Sequence, residues 1–313
     1  MPKAGIGTAP GRASARPGRA GRPTARRTIG SAHAFLYLAP AALIYVGFAI
    51  WPALHTAGLS LFEWDGILPP VWVGLENYAE VFTKPLLLKS LGNSFVLILF
   101  FSVIPIILGL IMAGLLMGYA RRGLTFFRVV YFLPQVLPMV VVGITWRWMY
   151  SEDGTLNQGL RLIGLDSITR VWLGDFSFAL IALGFVGTWC LAGLCMMLFL
   201  AGAQHIDTSL YEAAKLDGAG PFRRFLSVTL PGIRGEVTIA SVICTIAALT
   251  SFDLVYMTTD GGPANQTVIP GLLVYRLAFK DGEIGTAAAL AVTLTVLVIL
   301  VIGAIRRVAK ERE

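Results

Sequence analysis

The residues whose types and spacing suit recognition chemistry are gathered in one stretch, Tyr211–Ile233, which reads YEAAKLDGAGPFRRFLSVTLPGI. Glu212, Ala213, Ala214, Lys215 and Leu216 are strong helix formers. Asp217-Gly218 breaks that run, because Gly accepts backbone angles that other residues avoid. A second helix is predicted over Pro221–Val228, with Pro in its first turn, and Leu230-Pro231 is expected to end it. Phe222, Phe225 and Leu226 fall at i, i+3 and i+4, one face of that helix, while Arg223 and Arg224 lie on others. Near a helix start the Glu212 carboxylate gains about 0.3–1 kcal/mol from the dipole alone. A compact hairpin with an apolar stripe suits non-covalent docking into a partner, and Pro231 closes it.

Covalent chemistry finds no matching constellation. GxxxxGK[ST] is absent, so the chain has no P-loop for nucleotide phosphates, and HExxH is absent as well. Cys190, Cys195 and Cys244 fall within apolar runs at spacings that suggest neither a disulfide framework nor a zinc site, and no metal site is expected. Asp253 and Arg147 are charges close to apolar runs, where ionisable groups are the informative exception. They could pair near one face of the membrane. Asn93, Gln135, Thr145, Thr188, Trp189, Ser251 and Tyr256 are the hydroxyl, amide and aromatic side chains that could line a path for a polar solute. Each has the competing use of a helix–helix hydrogen bond.

The elements that must position these groups are membrane helices. The chain has 313 residues, of which 56% are hydrophobic and 14% charged, with a mean hydropathy of +0.74, which excludes an ordinary soluble domain. A spanning helix needs about 20 apolar residues. Six runs qualify, at about 35–62, 91–120, 129–149, 176–206, 237–258 and 284–305. The fold class is therefore all-α and polytopic, with the hairpin between spans four and five. Pro105, Pro134 and Pro138 should kink spans two and three. Gly114-x-x-x-Gly118 offers a close helix contact. Residues 1–33 carry seven basic residues and no acid in a Gly-, Pro- and Ser-rich context. They are expected to be a disordered, topology-setting cytoplasmic tail, with anionic lipid rather than nucleic acid beside it. With six spans both termini share a side. That side holds 18 basic residues against 7 on the other, so termini and hairpin are expected to be cytoplasmic.

The hairpin residues Glu212-Ala213-Ala214, Gly218 and Leu230-Pro231 together resemble the EAA loop of permease subunits in binding-protein-dependent ABC importers. VGLENY at 73–78, WRWMY at 146–150, FLAGAQHID at 199–207 and FDLVYMTTDGGPANQT at 252–267 are similar to the carbohydrate-uptake branch, the maltose-type and glycerol-phosphate-type importers. The resemblance covers nearly everything from residue 34 onward. It implies an ABC importer transmembrane domain over 34–313, forming half of a sugar pathway in the cell membrane. The implied partners are a second permease subunit, an ATPase dimer that holds ATP and Mg, and an extracytoplasmic solute-binding protein. No cofactor is implied for this chain. The resemblance also implies that Glu212, Ala213, Ala214, Asp217, Gly218, Phe222, Phe225 and Pro231 form the coupling surface for the ATPase, with Glu212 meeting a basic group in its cleft. Gly235 departs from the family pattern, which often has Pro just after the loop. The rival readings are an ion-coupled secondary transporter, which would show inverted repeats and mid-membrane carboxylates, an intramembrane enzyme, and an ABC permease for a non-sugar solute.

Overall fold

The structure is a computed structural model that describes residues 31–117 and 124–310. The expected tail at 1–33 lies outside them except for Ser31–His33, which already belong to a helix, and Gly118 of the expected small-residue pair is also outside. The chain divides into two compact units, Met1–Trp51 and Pro52–Glu313.

In the first unit, α1 (Ser31–Tyr45) runs into a π turn at Val46–Ile50. α2 (Trp51–Leu59) follows, and the second unit has a short antiparallel ribbon, β1 (Phe62–Glu63) and β2 (Val71–Trp72), that pairs Phe62 with Trp72. Then come α3 (Glu76–Thr83), α4 (Pro85–Ile98) and α5 (Ile104–Met117), and after the undescribed residues α6 (Leu124–Phe132) and α7 (Met139–Met149). α8 (Thr155–Leu162) precedes the long central α9 (Ala179–Ala203). The hairpin comprises α10 (Thr208–Leu216), α11 (Pro221–Arg224) and α12 (Leu230–Gly232). α13 (Arg234–Leu249), α14 (Phe252–Thr258), α15 (Pro270–Arg276) and α16 (Ile284–Lys310) complete the order.

Among the described residues, four helical stretches are long and apolar enough to cross a membrane: Tyr37–Leu59, Pro85–Leu116, Ala179–Ala203 and Ile284–Lys310. Two bent pairs, Leu124–Val136 with Met139–Met149 and Pro221–Gly232 with Arg234–Leu249, bring the number to six if each is one span. The expected third span is thus not one rod. It tightens to a 3₁₀ turn at Leu133–Val136, then breaks at Leu137-Pro138 with a bend of 99°, because Pro134 and Pro138 remove two backbone donors and bias the residues before them away from the α region. The expected fifth span also divides, at Thr250-Ser251, which puts Asp253 in the first turn of the separate helix α14 rather than high on one long helix. The second span starts earlier than hydropathy suggests, with Pro85 in its first turn, so Lys89 is helical and half-buried.

Proline shapes the helices in a second way. The π turns Val46–Ile50, Leu99–Val103 and Phe225–Thr229 each end two residues before a proline, Pro52, Pro105 and Pro231. A proline cannot donate to the carbonyl four residues back and its ring crowds that carbonyl. Widening the preceding turn removes the conflict and lets the helix continue. This corrects the expectation that Leu230-Pro231 ends the second hairpin helix: helical backbone passes through Pro231 to Gly232.

α9 is the hub, burying Leu183, Val186, Cys195, Met196 and Phe199. Its small residues admit neighbours to the helix surface. A Cβ on Gly187 would sit 2.0 Å from the Phe101 ring, and one on Gly193 only 2.2 Å from the Tyr131 carbonyl oxygen. Cys195 meets Cys244 of α13 with Sγ···Sγ 3.6 Å, both as free thiols.

Candidate functional site

The hairpin is built by local signals. Asp207 caps α10, its side chain accepting from the Ser209 N–H at 2.9 Å, so the helix begins at Thr208, three residues before the expected Tyr211. Asp-Thr-Ser is the cap signature that shows this start in the sequence. Ser209 also holds the Asp207 carboxyl below the usual carboxylate range. Glu212 therefore stands in the second turn, where the dipole contributes less than at the start. At the other end the Ala219 N–H donates to the Ala214 carbonyl at 2.9 Å and the Gly218 N–H to that of Lys215 at 3.1 Å. This paired closure needs a left-handed residue, and Gly218 has φ +76°. Gly220 caps α11, with Pro221 next. The Tyr211 hydroxyl bonds that of Thr229 at 3.0 Å and ties the two arms together.

The apolar stripe divides between two tasks. Phe225 packs back on the chain, its ring 3.1 Å from where a Cβ would stand on Gly114 of α5. Phe222 is 75% exposed and Leu216 89% exposed, and Glu212, Ala213 and Asp217 are exposed beside them. Glu212 makes no hydrogen bond or ion pair within the described residues. The hairpin thus presents a carboxylate and two large apolar side chains to whatever lies beyond, while Phe225 anchors it to α5. Pro231 sits inside the second arm, half-buried.

Several of the polar residues singled out for a solute path already hold backbone or ring partners. Asn93 is buried and donates both amide hydrogens to backbone, to the Gln266 carbonyl at 2.9 Å and that of Val268 at 2.8 Å. It fixes the 259–269 loop. Thr188 donates to the Phe100 carbonyl at 2.5 Å, and Ser251 to that of Ala248 at 2.9 Å. Thr145 is exposed on α7. Trp189 meets Trp146 edge-on at 5.5 Å, and Tyr256 stacks on Phe252 at 5.2 Å. Gln135, at the break between α6 and α7, has a buried Oε1 with no hydrogen-bond partner among the described residues. Asn93→Ala should leave those two loop carbonyls without their donor, costing roughly 1–3 kcal/mol for each that stays dry. Hydrogen exchange of residues 259–269 should rise in that variant while exchange in α9 is unchanged.

Arg147 and Asp253 do not pair. α7 and α14 run side by side: Met139 and Asp253 line one cavity of about 190 Å³, Gly143 touches Met257, and Arg147 shares another cavity with Thr258 and Thr259. This parallel register puts Arg147 two turns, about 12 Å, beyond the level of Asp253. The smaller cavity also holds Ser251, Thr250 and Phe101. Among the described residues no group of three or more His, Cys, Asp or Glu could hold a metal ion.

Residues 105–312, most of the helical body and the whole hairpin, match the family described as binding-protein-dependent transport system inner membrane component. The chain belongs to this family. It is an ABC transporter permease, a membrane-embedded transport component and not an enzyme. The permease is 36% identical over 290 residues to the diacetylchitobiose uptake system permease protein NgcF of Streptomyces coelicolor, covering 88% of this chain and 82% of that one. It is 33% identical to the lactose transport system permease protein LacF of Rhizobium radiobacter, over 79% of this chain and 83% of the other. A bacterial ABC transporter involved in the import of the acidic polysaccharide alginate has a chain of the same fold, with a TM-score of 0.74 at 21% identity, covering 90% of this chain and 96% of that chain. In the permease the binding-protein-dependent pattern extends across the break at Pro134–Pro138 and across the 71° bend at the hairpin.

Proposed function

We propose that this permease forms half of the pathway of an ATP-driven sugar importer and couples to a separate ATPase through the Thr208–Gly232 hairpin. One observation carries the coupling: a hairpin fixed by its own cap, closure and cross-arm hydroxyl pair leaves Glu212, Leu216 and Phe222 uncovered. Large exposed apolar side chains around a bare carboxylate are the surface of a docking element. Sugar is supported by relatives named for diacetylchitobiose and lactose uptake. The 190 Å³ cavity with Asp253, Ser251, Thr250 and Phe101 offers hydroxyl and carboxylate acceptors beside an apolar wall, the mixture a carbohydrate needs. Gln135 keeps an unspent acceptor for the same use.

In this reading both termini and the hairpin are cytoplasmic, and a solute-binding protein delivers sugar from outside. The importer has a second permease subunit, and ATP with Mg binds the ATPase dimer. Closure of that dimer would pull the hairpin, and Phe225 against Gly114 would pass the displacement to α5 and so to Phe101 on the same span. The test is purification of the tagged permease in mild detergent, followed by reconstitution. Copurification of an ATPase and a second permease, with uptake of labelled oligosaccharides only when ATP is present, supports the proposal. A chain that purifies alone and moves solute down an ion gradient without ATP sinks it and restores the secondary-transporter reading.

A further inference from the structure

Around residues 147–178 and 259–283, one arginine is left over among the described residues. Arg161 pairs with Asp153 at 3.3 Å and with Asp166 at 3.8 Å, Arg170 with Asp175 at 3.8 Å, and Arg276 with Asp260 at 3.2 Å. Arg147, in the last turn of α7, has no ion pair, hydrogen bond or ring contact among the described residues. It lines a cavity of about 400 Å³ together with Tyr150, Ser151, Val171, Thr259 and Pro263.

The walls of this cavity are held from behind. The Tyr150 hydroxyl donates to the Ala182 carbonyl at 3.1 Å. Thr259 and Thr267 share a hydroxyl bond at 2.7 Å, and Thr267 also donates to the Gly262 carbonyl at 2.7 Å. Asn93 fixes the far end of the same loop through Gln266 and Val268. Asp260, Ala264 and Asn265 occupy left-handed backbone conformations, at φ 44°, 44° and 61°. Non-glycine residues keep such angles only where their surroundings over-determine them, and they cluster at functional sites. A preformed concave site is thus bordered by an exposed guanidinium that has no carboxylate partner among the described residues. A guanidinium with this freedom takes a carboxylate through two parallel hydrogen bonds.

We propose that Arg147 and its cavity form a docking socket for an acidic side chain on the solute-binding protein, so that this arginine sets how strongly the loaded binding protein engages the permease. The proposal rests on the import reading above. The cavity is walled by loop residues from three chain segments rather than by the apolar face of a single helix, which favours a protein side chain over a lipid headgroup as occupant.

The experiment uses the complete transporter in nanodiscs of phosphatidylcholine alone. ATPase activity is titrated with the solute-binding protein that stimulates the wild-type complex. Arg147→Glu should raise the half-stimulating concentration by about tenfold or more, with the maximum at saturation and the subunit composition unchanged, and the shift should shrink at high salt. Arg147→Lys, which keeps the charge but not the paired geometry, should give a smaller shift, and Arg147→Gln an intermediate one. A half-stimulating concentration that is the same for wild type and all three variants overturns the proposal. So does a shift seen only when phosphatidylglycerol is added to the discs, which assigns the arginine to a lipid phosphate. A wild-type complex that no binding protein stimulates overturns the import reading itself, and this inference with it.

Discussion

Replacing Glu212 by Arg should abolish ATP-dependent uptake and release the ATPase from the purified complex, while the permease itself remains folded. The carboxylate is exposed and makes no hydrogen bond or ion pair among the described residues, so its removal takes no contact from the fold, and a surface change of this kind moves stability by about 0.5 kcal/mol or less. Its effect must come from a partner. A carboxylate buried against a basic group in a cleft leaves that group uncompensated when it is truncated, at about 2–5 kcal/mol, which is about 30-fold to about 4,000-fold in affinity. Arg adds like-charge repulsion to that loss. Glu212→Gln should fall in the lower part of the range, because an amide keeps one hydrogen bond. The measurement is ATPase recovered per permease after size exclusion, beside the unfolding midpoint of each variant. Full retention of the ATPase by Glu212→Arg would show that the hairpin couples through its apolar residues alone, or not at all.

Gly193→Ala should destabilise the permease strongly, with the loss appearing as poor yield and an early unfolding midpoint. The added Cβ would lie 2.2 Å from the Tyr131 carbonyl oxygen and 2.8 Å from the Phe132 Cα. Both obstacles are backbone, so no side-chain rotation relieves them, and overpacking of a tight core costs about 1–3 kcal/mol or more. Tyr131 and Phe132 directly precede the 3₁₀ turn Leu133–Val136, so the relief available is a shift of α6 against α9, which moves Gln135 with it. Gly92→Ala is the control. Among the described residues nothing lies within 4 Å of its added Cβ, and an interior helix position gains roughly 0.5–1 kcal/mol on replacing Gly with Ala. Equal midpoints for the two variants would mean that α6 and α9 are not in the contact described.

The sequence alone carried the membrane class, the approximate apolar runs and the turn of the hairpin, because each is written in a few adjacent residues. Hydropathy places a helix in a bilayer regardless of its neighbours. Gly218 must take a left-handed angle wherever a helix closes in this way, and it does so at φ +76°. The family pattern adds to this, since its residues are those same local ones. The signals missed were local too. Asp207 as a cap and the π turns ahead of Pro52, Pro105 and Pro231 follow from short-range rules.

What only the tertiary structure decided concerns residues far apart in the chain. Asn93 and Thr188 read as solute ligands until α4 and α9 met carbonyls 173 to 175 and 88 residues away, which took up their donors. Phe222 and Phe225 share a helical face in the sequence, yet one is exposed and the other is held by a glycine on α5. Asp253 and Arg147 suit each other in charge, but the parallel register of α7 and α14 keeps them two turns apart. Side-chain type sets what a group can bind. Whether that capacity is already spent depends on which backbone packs against it, and no spacing along the chain encodes that.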